Sequence, residues 1–335
     1  MSARPKNGTD WSRSVGYSLY RLAQAVPTVL VIVALNFMLL QLAPGDAADV
    51  LAGEAGSATP EFMAQLRQKF GLDQSVVMQL LLYMKNIVCF DLGFSFRHNM
   101  PVAQLILGRL GPTLLLMLTV FTLSVATGAA LGSLAARNLN RWQDNMISML
   151  TVLTYATPVF WAGLMLIVVF SIKLGWFPTS GMTQVAAFHE GAAKLRDIAH
   201  HLVLPAVTLT MFYLALYTRL MRASVLEQFS MDYVVTARAK GLTERQIARR
   251  HVLRNALLPV VTMAGVQAGA LLGGAVVVET VFAWPGLGLL AYESLFARDL
   301  NLLLGIFFIS TCLVVLVNLL VDLGYSLLDP RIELR

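Results

Sequence analysis

The residue patterns that carry common enzyme chemistries are missing from this 335-residue sequence. No Gly-Lys pair occurs, so the chain has no P-loop with which to bind and hydrolyse ATP. Neither HExxH nor GxSxG is present. The histidines lie outside or at the edges of the apolar stretches, which leaves no buried base for an intramembrane protease or a proton relay: His98, His189, His200, His201 and His251. We therefore expect a protein that is not an enzyme and that binds no cofactor or metal of its own.

Polar residues within the apolar stretches are few, and they are the candidates for lining a transport pathway. Glu279 and Asp322 each lie within about one helical turn of a predicted span end, where contact with interfacial water is the alternative interpretation. Glu279 precedes the turn Trp284–Gly286, which places it near the outer mouth of any pathway. Gln267 and Asn318 are neutral, and the alternative for them is a hydrogen bond between helices.

The most informative segment is basic and runs from Asp232 to Pro259. Asp232 or Ser230 can cap a short helix from Tyr233 to Lys240, which Gly241 would end as the residue after the C-cap. Residues 243 and 246, Thr and Gln, predict a capping box for a second helix. Small side chains on the first helix let another protein approach closely, and two basic ones supply charge at its end: Thr236, Ala237 and Ala239, then Arg238 and Lys240. Charge alone also fits a topology signal or binding of anionic membrane lipid.

The elements that must position this segment are membrane helices. The chain is 57% hydrophobic and 13% charged, whereas soluble proteins contain about 25% charged residues. Six stretches approach the roughly 20 apolar residues that a spanning helix needs: 22–42, 112–135, 146–172, 202–220, 257–282 and 302–323. We therefore predict an all-α integral membrane protein with six transmembrane helices. The first stretch is too long for a signal-peptide core, so we expect an uncleaved span.

The distribution of positive charge predicts the orientation. Sixteen of the 25 Lys and Arg residues lie at the span ends and connections on the side that holds both termini. Positive residues favour the cytoplasmic side, so we expect both termini inside and the net charge of +6 to record topology rather than nucleic-acid binding. The domains then follow: a cytoplasmic N-terminus (1–21), a first span (22–42), an extracytoplasmic segment (43–111), a five-helix region (112–323) with a cytoplasmic loop (221–256), and a cytoplasmic tail (324–335).

Particular sequence motifs resemble a known family. TARAKG at Thr236–Gly241, followed by RNALLP at Arg254–Pro259, resembles the EAA loop of permease subunits of bacterial binding-protein-dependent ABC importers. Further motifs resemble the dipeptide/oligopeptide/nickel permease family: LAPGD at 42–46, GLD at 71–73, DLGFS at 91–95, ETVF at 279–282, WPGLG at 284–288, and NLLVD to LDPR between 318 and 331. Phe90 and Leu289 depart from this family's usual residues, in outer segments where a binding protein would dock.

The resemblance implies a type I ABC importer permease (MetI-like) fold in a bacterial inner membrane. It implies that the short cytoplasmic helix sits in a groove of an ATPase subunit, with Tyr233, Arg254, Asn255 and Pro259 belonging to the same coupling loop. The implied partners are a homologous second permease subunit, two ATP-binding cassette subunits that carry ATP and magnesium, and an extracytoplasmic solute-binding protein. The outer segment, with an amphipathic helix expected near Pro60–Phe70, would be the dock for the binding protein.

The substrate and the transport class leave alternatives. We expect di- or oligopeptides, with nickel or metallophore complexes and glutathione as alternatives that relatives carry. His200 and His201 suggest a metal only weakly, because neighbouring residues on a helix point in different directions. An ion-coupled secondary carrier that acts alone and a lipid-binding or structural membrane protein are the hypotheses from other classes.

Overall fold

Long apolar helices make up most of the computed structural model. It describes residues 26–39, 41, 59–70, 73–95, 97–184 and 190–328, of which residues 60, 62, 66, 69, 70 and 322–328 are described by their backbone alone. In chain order the helices are α1 (Val26–Leu39), α2 (Pro60–Phe70), α3 (Val76–Val88), α4 (Val102–Arg137), α5 (Trp142–Ala156), α6 (Val159–Leu166), α7 (Gly191–Phe229), α8 (Asp232–Ala239), α9 (Glu244–Ile247), α10 (Leu253–Ala268), α11 (Leu271–Val281), α12 (Leu287–Phe296) and α13 (Leu300–Leu328). Two π-helical segments, Ile167–Lys173 and Ala248–Val252, continue α6 and lead into α10.

The helices that could cross a membrane number three to five in the described residues, by length and composition. Three are uninterrupted: Val102–Arg137, Gly191–Phe229 and Leu300–Val321. Two further candidates are bent pairs, Trp142–Ala156 with Val159–Lys173 at 105° and Glu244–Ala268 with Leu271–Val281 at 64°. The protein is therefore mostly helical, with several helices long and apolar enough to cross a membrane. The first predicted span is represented by the shorter α1, and residues 22–25, 40 and 42 lie outside the described chain.

The bends occur where the sequence weakens helical hydrogen bonding. Pro158 precedes α6 and has no N–H to donate, and Thr157 before it has extended backbone angles. Gly269 and Ala270 separate α10 from α11. Pro112, Pro205 and Pro259, in contrast, lie inside helices that continue.

By its backbone contacts the chain divides into two units, the second of which is Gly111–Leu289. The first unit contains the chain before Gly111 and after Leu289. It has a small antiparallel hairpin, Phe94–Ser95 with Met100–Pro101, which the all-α prediction did not include because its strands have only two residues. The buried Ser95 hydroxyl donates to the Asp299 carboxylate, which anchors the hairpin to the residues before α13. The predicted helix Pro60–Phe70 is confirmed.

The core of the second unit forms where α4 crosses α7 closely. A Cβ at Gly132 would lie 2.5 Å from the carbonyl oxygen of Thr218, and one at Gly128 would lie 2.5 Å from Cβ of Tyr217. Glycines four residues apart on one face of α4 therefore let the two backbones approach, as small residues do between membrane helices. Buried apolar side chains from α4, α7, α10 and α11 complete this core, among them Leu116, Leu209, Val260 and Val278.

Candidate coupling surface

The short helix α8 follows directly after the long helix α7, separated by one tight turn. Its N-cap is Met231, whose extended backbone begins the helix without a side-chain cap hydrogen bond. The predicted capping by Asp232 or Ser230 is therefore wrong. Asp232 is instead the first helical residue, where its charge suits the N-terminal end of the helix dipole. The Ser230 hydroxyl donates to the carbonyl of Glu227 and so closes the end of α7.

Gly241 ends α8 as the sequence predicts. Its φ of +79° lies in the left-handed region that glycine adopts without steric cost. The Gly241 amide donates to the carbonyl of Arg238 at 2.9 Å, and the Leu242 amide donates to that of Ala237 at 3.2 Å. These two hydrogen bonds make a Schellman motif, which reverses the chain and satisfies helix-end carbonyls. The direction of the chain after α8 thus depends on one glycine.

One face of α8 is held in the core of the second unit and the other is exposed. Val234 is fully buried and Ala237 is 5% exposed, and both belong to the same apolar cluster as α7 and α10. The Tyr233 hydroxyl donates to Gln228 Oε1 at 2.9 Å, which ties α8 back to α7. The remaining predicted residues of the segment are exposed: Thr236, Arg238, Ala239, Lys240 and Gly241. The exposed surface of α8 therefore carries these small and basic side chains together with Asp232 and Val235, while its opposite face packs against the core.

Arg238 makes a bidentate ion pair across the turn with Glu244, which was not among the predicted site residues. Its Nε donates to Oε1 at 2.6 Å and its Nη2 to Oε2 at 3.2 Å. The hydrogen bond from Arg238 to the Glu244 carboxylate raises the pKa of this guanidinium further above its usual value. Both side chains are largely exposed, so solvent weakens the attraction and the pair orients the turn more than it stabilises the fold. The sequence offered one signal for this ion pair: two opposite charges six residues apart, on either side of the glycine that turns the chain.

The second helix of the segment begins with the predicted capping box. The Thr243 hydroxyl accepts from the Gln246 amide, and the Gln246 side chain accepts from the Thr243 amide at 2.9 Å. After the π-helical segment, α10 presents the other predicted residues of the loop on its exposed surface: Arg254, Asn255 and Pro259. Ala256, between them, is fully buried. Most of the predicted coupling residues therefore occupy exposed positions on α8, on the turn after it and on α10. Tyr233 is half-buried and Ala237 is buried, so the prediction that Ala237 lets a partner approach α8 closely is wrong.

A second ion pair joins α7 to α5, and the sequence did not predict it. Arg222 donates to Asp144 through Nε at 2.7 Å and through Nη2 at 2.8 Å. Asp144 is 2% exposed and also accepts from the backbone amide of Asn140. Asp144 lies in the first turn of α5, so the pair fastens the connection between α4 and α5 to the end of α7. No local pattern links two residues so distant in sequence.

The predicted pathway residues lie in separate parts of the structure. Gln267 is half-buried in α10 and Glu279 is fully buried at the end of α11, both in the second unit. Asn318 is exposed on α13, in the first unit. The alternative view of Glu279 as a water-exposed interfacial group is wrong for this structure, because its exposed fraction is zero. The role of these three residues in a pathway stays a prediction, and the side chain of Asp322 lies outside the described residues.

The adjacent histidines at the start of the apolar part of α7 have separate partners. His200 Nε2 lies 2.8 Å from the Trp176 carbonyl oxygen, whereas His201 Nδ1 lies 3.2 Å from Asp197 Oδ1. The two imidazole rings are nearly perpendicular, at 87°. Among the described residues, no group of three or more His, Cys, Asp or Glu side chains could hold a metal ion.

Comparison with known proteins agrees with this architecture. Residues 128–334 match the family described as the binding-protein-dependent transport system inner membrane component, and residues 15–117 match its N-terminal region. The chain belongs to this family. It is thus an inner membrane permease component of an ABC transporter, and its family role is transport rather than catalysis.

Permeases named for peptide, oligopeptide and glutathione transport resemble this permease over nearly their whole length. A putative peptide transport system permease protein of Brucella abortus is 38% identical over 94% of this chain and 98% of its own. The glutathione transport system permease protein GsiC of Escherichia coli is 38% identical over 96% of this chain and 100% of its own. The oligopeptide transport system permease protein AppB of Bacillus subtilis is 39% identical over 95% and 99%.

The fold of the permease resembles that of a solved transporter. A chain in an inward-facing structure of the MetNI methionine ABC transporter aligns with a TM-score of 0.55. The alignment covers 68% of this chain and 97% of the other, at 18% sequence identity. The similarity therefore extends to the fold of a MetI-like importer permease.

Proposed function

We propose that this chain is a permease subunit of an ATP-driven importer of di- and oligopeptides and that it forms half of the translocation pathway. The observation that carries the proposal is its similarity, over 94–95% of its length, to permeases named for peptide and oligopeptide transport. In the proposed topology the chain crosses the membrane six times with both termini in the cytoplasm. A second, homologous permease supplies the other half of the pathway, since six helices are too few to enclose a peptide-sized path.

The energy comes from partners, because the chain has no P-loop of its own. Two ATP-binding cassette subunits bind ATP and magnesium, and an extracytoplasmic binding protein delivers the peptide. Helix α8 is the part of the permease that the ATPase contacts. When the ATPase subunits close on ATP, α8 moves with them and carries the attached membrane helices as a rigid body.

The geometry of α8 suits this mechanical role. A helix that transmits movement must be fixed to the membrane helices and free on its outer surface. Val234 and Ala237 fix it to the core, the Schellman motif at Gly241 fixes its direction, and the exposed residues Thr236 and Ala239 permit close approach of a partner. Lys240 adds a positive charge at the C-terminal end of the helix, where the helix dipole favours it.

Glutathione is the second candidate substrate, and a specific observation favours it. The glutathione permease of Escherichia coli has the same identity to this chain as the Brucella peptide permease, 38%. Glutathione is itself a tripeptide, so both substrates fit one pathway. Nickel and metallophore complexes are a weaker alternative.

Reconstitution of the complex tests the function and its main rival. The permease, its partner permease, the ATPase subunits and the binding protein would be placed in proteoliposomes with radiolabelled tripeptide, glutathione or a nickel complex outside. We expect tripeptide uptake that requires ATP and the binding protein and that disappears with an ATPase variant unable to hydrolyse ATP. Uptake by the purified chain alone, driven by a proton or sodium gradient, would show that it is a secondary carrier.

A further inference from the structure

The most completely buried carboxylate in the second unit belongs to Glu279, at the end of α11. Its oxygen Oε1 accepts from the Thr113 hydroxyl at 2.7 Å, and Oε2 accepts from the amides of Gly288 at 2.6 Å and Leu289 at 3.1 Å. A carboxylate buried away from water is costly unless donors satisfy its oxygens. These donors are Thr113, eleven residues into α4, and the first amides of α12, so one side chain joins three parts of the chain.

The Thr113 hydroxyl takes part in two hydrogen bonds at this site, one as donor and one as acceptor. It donates to Glu279 and accepts from the Leu287 amide at 2.7 Å. The amides of residues 287, 288 and 289 are the first of α12 and have no partner within their own helix. Glu279 and Thr113 together satisfy all three, and the negative charge lies at the positive end of the helix dipole.

The backbone between α11 and α12 is shaped around this carboxylate. A Cβ at Gly286 would lie 2.2 Å from Glu279 Oε1, and one at Gly288 would lie 2.6 Å from Cα of Val276. A side chain at Gly288 would meet backbone, and one at Gly286 would push the Glu279 carboxylate away from its donors. The fully buried Trp284 adds a hydrogen bond from Nε1 to the carbonyl oxygen of Pro112, at 2.9 Å. The motif from residue 279 to 288 therefore folds back onto Glu279 and onto residues 112 and 113 of α4.

We propose that Glu279 is a positioning residue, which with Thr113 locks the segment Phe282–Leu289 onto the part of α4 around Thr113 so that α11 transmits movement to the outer face. The inference rests on the proposed function and topology, in which the end of α11 and the part of α4 around Thr113 are both at the extracytoplasmic side. The lock makes the outer end of the second unit respond as one piece when α8 moves at the inner end.

This role differs from the pathway-lining role that the sequence suggests for Glu279. A pathway residue faces the substrate and influences which substrates are carried. A locking residue faces the protein, and its loss weakens the link between ATP hydrolysis and transport for every substrate alike. The orientation of the carboxylate, toward the amides of α12 and the hydroxyl of α4, favours the lock.

The matched variants Thr113→Val and Thr113→Ser test the lock. Valine has nearly the same shape as threonine but no hydroxyl, whereas serine keeps the hydroxyl. In the reconstituted complex we expect Thr113→Val to lower tripeptide uptake per ATP hydrolysed about tenfold, because a buried charged acceptor loses its partner. Thr113→Ser should remain near the wild-type ratio, and the preference among peptides should stay unchanged in both.

Amide hydrogen exchange tests whether the lock exists independently of a transport assay. In the purified complex, the amides of residues 287–289 should exchange about tenfold faster in Thr113→Val than in Thr113→Ser, since exchange follows local opening. If Thr113→Val does not reach the membrane, Glu279→Gln, which keeps the side-chain size but removes the charge, replaces it with the same expectations.

Each contrary result has a separate meaning. Unchanged exchange in the variant would overturn the lock itself, and faster exchange with normal uptake per ATP would overturn its role in transmission. An altered preference among peptides with normal coupling would establish Glu279 as a pathway residue instead. A wild-type complex without ATP-driven uptake would refute the proposed function, while the exchange experiment would still decide whether the lock exists.

Discussion

The glycine that ends α8 offers the clearest test of how the coupling surface is built. Gly241 has φ of +79°, and no atom lies within 4 Å of the position that a Cβ would occupy. Replacing it with valine therefore causes no collision with another part of the chain. The cost is backbone strain, about 1–2 kcal/mol for a side chain in the left-handed region and more for a β-branched one.

The strain should reduce the fraction of molecules in which the turn has the geometry needed for docking. Each 1.4 kcal/mol changes an equilibrium about tenfold, so the turn should hold its docking geometry about 5 to 30 times less favourably in Gly241→Val. Gly241→Asn is the matched control, because asparagine tolerates the left-handed conformation. Both side chains project into the same open space, and only the valine variant should be impaired.

The assay compares both variants at equal levels in the membrane. The amount of ATPase subunit that co-purifies with a tagged permease reports docking, and ATP-driven tripeptide uptake reports coupling. We expect both to fall in Gly241→Val and to remain near wild type in Gly241→Asn. Equal docking and uptake in the two variants would refute the reasoning, because the direction of the chain after α8 would then not matter for coupling.

Two further predictions concern the interior of the second unit and are measured as thermal unfolding of the detergent-purified protein. Arg222→Ala should destabilise the protein by about 2–3 kcal/mol, because it leaves the buried Asp144 carboxylate without its partner. Asp144→Asn should destabilise it less, since the Arg222 side chain is 31% exposed and can reach water. The opposite order would contradict the contact. Gly132→Ala should destabilise it by about 1–3 kcal/mol, since the new Cβ would meet the Thr218 carbonyl at 2.5 Å. The control Gly108→Ala, in open space on the same helix, should be neutral or stabilising by about 1 kcal/mol, and equal effects at both glycines would argue against the close crossing.

The parts of the site that sequence predicted correctly are those governed by local chemistry. The capping box at Thr243 and the left-handed Gly241 depend on residues within a few positions of each other, and both are present. The start of α8 was assigned to the wrong cap because Ser and Asp flank Met231, and both are common N-cap residues. Local preference could not decide among neighbours that compete for one role.

The parts that sequence missed depend on contacts between distant segments. Glu244 pairs with Arg238 only because the turn at Gly241 brings them together. Asp144 and Arg222 are 78 residues apart, and Glu279 reaches a threonine 166 residues away. A single sequence shows that such residues are charged and where they lie relative to apolar stretches. It does not show which buried donor they meet.

The helical nature of the apolar stretches was predictable, whereas their shape was not. Continuous hydrophobicity predicts a spanning helix from its total length. The 105° bend between α5 and α6 interrupts the predicted stretch 146–172, and its physical origin is a proline that removes one amide donor. Pro205 lies inside a helix that continues, so proline alone does not mark a break.

The central claim, that the exposed face of α8 contacts an ATPase subunit, is tested most directly by site-directed cross-linking. The native Cys89 and Cys312 would first be replaced, and a cysteine would then be introduced at position 239 (Ala239→Cys). Position 239 is chosen because Ala239 is exposed and takes no part in the Arg238–Glu244 ion pair. We predict that a short photoactivatable thiol reagent on this cysteine joins the permease to its ATPase subunit. Labelling of the same cysteine by a membrane-impermeant maleimide added outside intact bacteria would contradict the account.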